Sequence, residues 1–265
     1  MYEEYLDFAK SVALEAGGIM LKYFSGDNGK SYKSDRSVVT RADTEINSML
    51  IDRVRKAFSG HRVEGEEEQY GEGNMVWVCD PLDGTAVYTR HMPMSVFSLA
   101  LVDDGRPVVG VIYDPFTDSM YSASLGGGAF RNGEAIRVND LSLDDSRGAS
   151  NYDMWSGAPY DIYEILTELR DTTYFLSIGS VIRASAAVSE GNLVMTVFPG
   201  TRHKNCDIAA AKVIVEEAGG KVTDIFGNEQ RYDLGDINGA IVSNGKVHGE
   251  IVALMRRLFG YWDKQ

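Results

Sequence analysis

Cysteine is nearly absent: Cys79 and Cys206 are the only two in 265 residues, too few for a disulfide framework. Each stands beside an aspartate in an apolar or small-residue run, the setting of a buried thiol in a reducing compartment. Long apolar runs are missing too, and none approaches the ~18 residues that a membrane helix needs. The opening MYEEYLDFAK carries three acids before its first lysine and no apolar core, unlike a signal peptide. A cytoplasmic protein with no membrane partner is expected.

Positive charge is scarce. With 26 Lys+Arg against 39 Asp+Glu the formal net charge is −13, and the densest basic stretch is the short Arg202-His203-Lys204. A nucleic acid polymer, which needs a basic footprint, is therefore not expected as a partner. A hydrophobic content of 44% and a charged content of 25% are those of an ordinary folded chain. No linker rich in Pro, Ser or Gly is long enough to separate two domains, so 1–265 reads as one globule with two subdomains, about 1–140 and 141–265.

Apolar residues recurring three or four apart predict a helix from Tyr5 to Phe24, and a second whose face holds Ile46, Met49, Leu50, Val54 and Phe58. Apolar runs at Val76–Cys79, Val96–Val102 and Val108–Tyr113 predict strands, the last two joined by an Asp103-Asp104-Gly105 turn. Gly126-Gly127-Gly128 lacks the lysine and helix of a phosphate loop and reads as a hairpin turn. Beyond Asp140 the pattern alternates: strand Tyr174–Ile178, helix Ser180–Ser189, strand Leu193–Phe198, helix Asp207–Ala218, strand Ala240–Ser243, helix Val247–Leu258. Layered α/β packing follows.

The segment richest in chemistry is Cys79-Asp80-Pro81-Leu82-Asp83-Gly84-Thr85, placed where an apolar strand runs out. Two aspartates three apart with a proline between them would aim both carboxylates at one point. If a helix starts at Gly84, the amides of Gly84 and Thr85 become available to an anion. Asp-Pro and Asp-Gly are also common turn dipeptides. Two more acidic places stand out: Gly65-Glu66-Glu67-Glu68 at the end of a short apolar step, and Asp207 before an apolar helix. Separately, the first also reads as a solvated charge run and the second as an ordinary N-cap.

Taken in order, Val38-Val39-Thr40-Arg41-Ala42-Asp43, Gly65-Glu66-Glu67, Asp80-Pro81-Leu82-Asp83-Gly84-Thr85, and Cys206-Asp207-Ile208-Ala209-Ala210-Ala211 with Glu217-Ala218-Gly219-Gly220 resemble the inositol monophosphatase family. These are lithium-sensitive, magnesium-dependent phosphomonoesterases, and the likeness runs through nearly the whole chain. It implies an α+β fold, a layered α-β-α-β-α sandwich of the sugar-phosphatase type. It also implies two or three Mg²⁺ ions, with Mn²⁺ able to substitute and Li⁺ inhibitory. By that resemblance Glu66, Asp80 and the Leu82 carbonyl hold one ion, with Glu67 in support, and Asp80, Asp83 and Asp207 hold a second. Asp43 and Thr85 would orient the attacking water, making Asp43, Glu66 and Thr85 the catalytic set. Phosphate and substrate would meet Asp83, Gly84, Thr85, Gly179, Ser180, Val181 and Arg202. Elementary physics agrees: six carboxylates cannot all stay ionised in a partly dry cleft without cations, and an all-oxygen set suits a hard ion.

The chain departs from its relatives in places. After Thr85 the family usually has Thr-Asn-Phe and a later glycine, whereas this chain has Ala86-Val87-Tyr88 and, at the glycine position, His91. Arg90 and His91 either touch an anionic group or face solvent. Gly200 stands where inositol-specific members carry a ring-contacting Glu, and Cys206 where many carry Trp. The basic Arg202, His203 and Lys204 would complement a substrate with a second negative group, or cover helix ends. Arg183 reads as a surface or interface arginine.

The function expected is hydrolysis of a small phosphomonoester, an inositol phosphate, sugar phosphate or sugar bisphosphate, by a homodimer. The alternatives are a 3′-phosphoadenosine-type nucleotide phosphatase and a regulatory member of the family.

Overall fold

The computed structural model describes residues 2–26, 28–32, 37–152 and 159–260. Two amphipathic helices open the chain, α1 (Glu3–Phe24) and α2 (Arg41–Ala57). α2 starts five residues before its apolar stripe, because Thr40 and Asp43 close a capping box. The Thr40 hydroxyl accepts from the Ala42 N–H at 3.2 Å, and the Asp43 carboxylate accepts from the Thr40 N–H at 2.8 Å.

An eight-stranded sheet follows, built from β1 (Arg62–Gly65), β2 (Met75–Asp83), β3 (Val96–Asp103), β4 (Arg106–Asp114), β5 (Ser119–Ser124) and β6 (Gly128–Arg131), side by side in that order. Two-residue strands, Gln69–Tyr70 and Glu134–Ala135, close its edges. Neighbours are antiparallel except β1 and β2, which run parallel. Asp104 and Gly105, both at positive φ (46° and 80°), make the tight turn between β3 and β4. Gly126–Gly128 turns β5 into β6 as expected, and it does hold an anion: the Gly126 and Gly128 amides donate to the Glu217 carboxylate at 2.7 and 2.8 Å.

A one-turn helix, α3 (Thr85–Tyr88), follows β2. The second sheet contains β7 (Ala149–Tyr152), β8 (Tyr174–Leu176), β9 (Met195–Phe198), β10 (Lys221–Thr223) and β11 (Ala240–Ser243), in the order β8-β7-β9-β11-β10. β8 and β9 are shorter than expected. The Ile178 amide is drawn to the Asn151 side chain at 3.0 Å, and the Leu193 amide to the Ala187 carbonyl at 3.2 Å.

The helices α4 (Ile162–Leu169), α5 (Val181–Ser189), α6 (Ala209–Glu217) and α7 (His248–Phe259) complete five layers. α1 and α2 pack on one face of the large sheet through Trp77, Phe97, Leu99 and Val111. The other face, through Val76, Val78 and Ala100, meets α5 and α6, which also receive Phe198 and Val242 from the second sheet. α4 and α7 cover the outer face of that sheet. The α-β-α-β-α order implied by the resemblance is therefore present. No helix among the described residues is long and apolar enough to cross a membrane.

The middle layer tolerates two sheets at once because its helices are narrow. A Cβ at Gly110 on β4 would stand 2.5 Å from Val213 Cγ1 and 2.6 Å from the Ala210 carbonyl. Gly110→Ala should therefore destabilise the protein by about 1–3 kcal/mol, read as a lower urea midpoint. An unchanged midpoint would refute so close an approach.

Candidate active site

The site forms where β1 and β2 end side by side. In a regular strand, residues three apart face opposite sides. Here Asp80 pairs with Ser98 and Asp83 with Val96, so β2 carries one extra residue between them. This bulge accommodates Pro81 and returns Asp83 to the side of Asp80. The Leu82 amide donates to Asp80 Oδ1 at 2.9 Å, which fixes the first carboxylate. The Leu82 carbonyl accepts from the Thr85 hydroxyl at 3.0 Å, and that hydroxyl lies 3.4 Å from Asp43 Oδ1.

Glu66 leaves the end of β1 with its amide bonded to the Cys79 carbonyl at 3.1 Å, immediately beside Asp80. The turn that follows is clamped by Asn47 of α2, a residue that the sequence reading missed. Its Oδ1 accepts from the Glu67 and Glu68 amides at 3.2 and 3.3 Å, and its Nδ2 donates to the Glu68 carbonyl at 3.1 Å. The signal was available, since Asn47 is a lone amide on the apolar stripe of α2, one turn after Asp43. Asp43, Glu66 and Glu67 each present a carboxylate oxygen within 4.8 Å of the others, a group able to hold a metal ion.

Asp207 arrives from the other half of the chain. The helix expected at Asp207–Ala218 is broken: Asn205–Asp207 is a 3₁₀ turn, α6 starts at Ala209, and Ile208 occupies the N-cap position. The N-cap alternative for Asp207 falls accordingly. Its carboxylate receives the Cys206 thiol at 3.4 Å and the Lys204 ammonium at 3.3 Å. The same ammonium stands 3.8 Å from Glu66 Oε1. Asp80 and Asp207 are almost fully buried. Burial, then the charges of Glu66, Asp83 and Asp207, hold the Asp80 carboxyl well above its usual range. Asp207 is raised by burial and restrained by Lys204. Asp43 is pushed up to about 7 by burial, against the Thr40 hydrogen bonds. A dense all-oxygen set whose members resist ionising together fits a hard divalent cation.

Asp83 joins the large sheet to α5. Its Oδ2 accepts from the Ser180 hydroxyl at 2.5 Å and the Ile182 amide at 2.8 Å, while Ser180 caps α5 through the Arg183 amide at 3.0 Å. Gly84 sits at φ 83°, and a Cβ there would approach the Gly179 carbonyl to 3.1 Å. Gly84, Thr85, Gly179, Ser180 and Val181 thus meet at one rim. Val87, the departure from the family's amide, packs its methyls against both glycines.

Arg202 is exposed and forms no ion pair or hydrogen bond among the described residues. Arg90 bonds the Ala86 carbonyl at 2.6 Å, and the His91 ring meets the Phe24 carbonyl at 2.7 Å. His91 takes φ 57°, a backbone conformation that favours glycine, the residue that the family resemblance leads us to expect there. Arg183 pairs with the buried Asp114, and both line a cavity of about 290 Å³ with Tyr121 and Glu190.

The inositol monophosphatase family model matches residues 1–258. A fructose-1,6-bisphosphatase/inositol-1-monophosphatase of Thermotoga maritima is 31% identical over 256 residues, 96% of each chain. Nus factor SuhB of Salmonella typhimurium is 30% identical over 262 residues, 95% of each chain. The solved structure of a Thermotoga maritima IMPase matches with a TM-score of 0.86 at 28% identity, covering 97% of this chain and 99% of that one. With the layers, the carboxylate cluster and these likenesses in agreement, the chain belongs to the inositol monophosphatase family.

Proposed function

We propose that this protein hydrolyses a small phosphomonoester, a sugar phosphate, sugar bisphosphate or inositol phosphate, with Mg²⁺ as its cofactor. The observation that carries this reading is a carboxylate cluster drawn from both halves of the chain: Asp43, Glu66 and Glu67 lie within 4.8 Å of one another, and the buried Asp80 feels the charges of Glu66, Asp83 and Asp207. Glu66, Asp80 and the Leu82 carbonyl would hold one Mg²⁺, supported by Glu67, and Asp80, Asp83 and Asp207 a second. When bound, such ions polarise the phosphate and make water nucleophilic near neutral pH.

The protein's own groups supply the rest. Thr85 Oγ1, set between the Leu82 carbonyl and Asp43 Oδ1, orients the water and passes its proton towards Asp43. The Gly84 and Thr85 amides, at the start of α3, receive the phosphate oxygens. Gly179, Ser180 and Val181 border the leaving group. We read residues 1–265 as one such unit, cytoplasmic and homodimeric, with most metal ligands before residue 140.

Substrate choice is narrowed at Gly200. A Cβ there would lie 2.3 Å from the Phe198 ring, so an inositol-contacting Glu could not be restored without moving Phe198. Lys204 faces the carboxylates, which leaves Arg202 and His203 for a second anionic group. Phosphate release from fructose-1,6-bisphosphate, inositol-1-phosphate and a 3′-phosphoadenosine compound, with Mg²⁺ and with or without Li⁺, tests this. The bisphosphate should be preferred over inositol-1-phosphate, and Li⁺ should inhibit. Preference for the nucleotide would favour the 3′-phosphoadenosine alternative. A regulatory role, favoured by the likeness to a Nus factor, would gain if Mg²⁺ produced no turnover with any of them.

A further inference from the structure

The basic stretch 202–204 divides in the fold, and its third member does something its neighbours do not. The 3₁₀ turn Asn205–Asp207 puts Lys204 three residues before Asp207 on the same side, so the lysine stem folds back over the acid cluster. Its side chain is 13% exposed, with Nζ 3.3 Å from Asp207 Oδ2 and 3.8 Å from Glu66 Oε1. In the metal reading above, on which this inference rests, those two carboxylates serve different cations. One ammonium therefore spans both sets of ligands.

We propose that Lys204 is a resident counter-ion of the metal centre, occupying in the metal-free protein the carboxylates that divalent cations take, and displaced when they bind. An ammonium and a dication cannot share the same oxygens without strong repulsion, because in a site shielded from water like charges interact at short range with little screening. A lysine is suited to leave, being a point charge on a flexible four-carbon stem rather than a rigid fork. Its presence keeps the buried Asp207 and the half-buried Glu66 tolerable together before loading, and sets a threshold that a cation must overcome.

Calorimetric titration of Mn²⁺ into the metal-stripped wild type, K204M and K204R near neutral pH tests this. K204M should bind about tenfold more tightly, because no resident charge has to be expelled. K204R, which keeps the charge but on a rigid fork, should bind no more tightly than the wild type. Metal-free K204M should melt below metal-free wild type, and its gain in Tm on adding Mn²⁺ should be the larger. A second measurement needs no variant: amine-directed labelling of the wild type, read by mass spectrometry, should find Lys204 protected without metal and reactive with it. Affinity of K204M equal to or weaker than that of the wild type, or a Lys204 still protected after loading, would overturn the inference while leaving the metal centre standing. A wild type that takes up no Mn²⁺ would overturn the metal centre itself, and the inference with it.

Discussion

Asp80→Asn should reduce metal-dependent phosphatase activity by about 10³-fold or more while leaving the metal-free fold at least as stable as the wild type. The substitution keeps the shape and the acceptor oxygen, so the Leu82 amide retains its 2.9 Å bond. Only the charge goes, and that charge is nearly fully buried among Glu66, Asp83 and Asp207. In the metal-free protein it is a liability, as the raised pKa of Asp80 shows. On the proposed assignment the same charge would serve both cations, so its loss would weaken the binding of both. Phosphate release and thermal melts, run with and without Mg²⁺, read the two halves of the prediction. Retained activity would sink the assignment of Asp80, and a collapsed metal-free fold would sink the claim that its charge is purely functional.

The same reasoning gives a pH dependence. Asp43 titrates at about 7 in the metal-free fold against an ordinary value of 3.8. Between those values the folded state holds a proton that the unfolded state has lost. This contribution to stability is therefore present at low pH and fades as pH rises from about 4 to about 7. A bound cation favours the ionised form, so the gain in Tm on adding Mg²⁺ should grow across that window. A gain independent of pH would remove Asp43 from the metal environment.

Asn47→Leu should weaken metal activation by about 10–100-fold and cost about 2–3 kcal/mol of stability. Asn47 touches no proposed ligand oxygen. It clamps the turn bearing Glu66 and Glu67 through three hydrogen bonds, with two amides donating to its Oδ1 and its Nδ2 donating to a carbonyl. The turn comes so close that a Cβ at Gly65 would lie 2.0 Å from that Oδ1. Leucine fills a similar volume and satisfies none of the three groups. Because the clamp positions ligands and does not itself react, high Mg²⁺ should restore most of the turnover, and Asn47→Asp, which keeps the acceptor, should lose less. A normal Mg²⁺ activation constant in Asn47→Leu would show that the turn holds itself.

Much of the architecture could be read directly from local patterns. α1, the Asp104-Gly105 turn and β11 follow from periodicity and turn chemistry, which depend on neighbours a few residues away. The carboxylate motifs were visible for the same reason, as short blocks of fixed order. Boundaries shifted where a side chain competed with the backbone pattern, as Asn151 does at the end of β8.

The sequence by itself determined which residues are the candidates for the chemistry: the six carboxylates, the Gly84-Thr85 turn and the absence of a glutamate at position 200. Only the tertiary structure decided how they are held. The β2 bulge puts Asp80 and Asp83 on one side, and Asp83 is bonded across to α5. Asn47 became a clamp, Lys204 turned from a substrate-facing candidate into a partner of Asp207 and Glu66, and the triple glycine received its own chain's Glu217. Each of these pairings joins side chains whose meeting depends on how distant elements pack. Local patterns record the backbone's preferences over a few residues, whereas a carboxylate's partner is fixed by whatever the folded chain brings within about 3 Å of it.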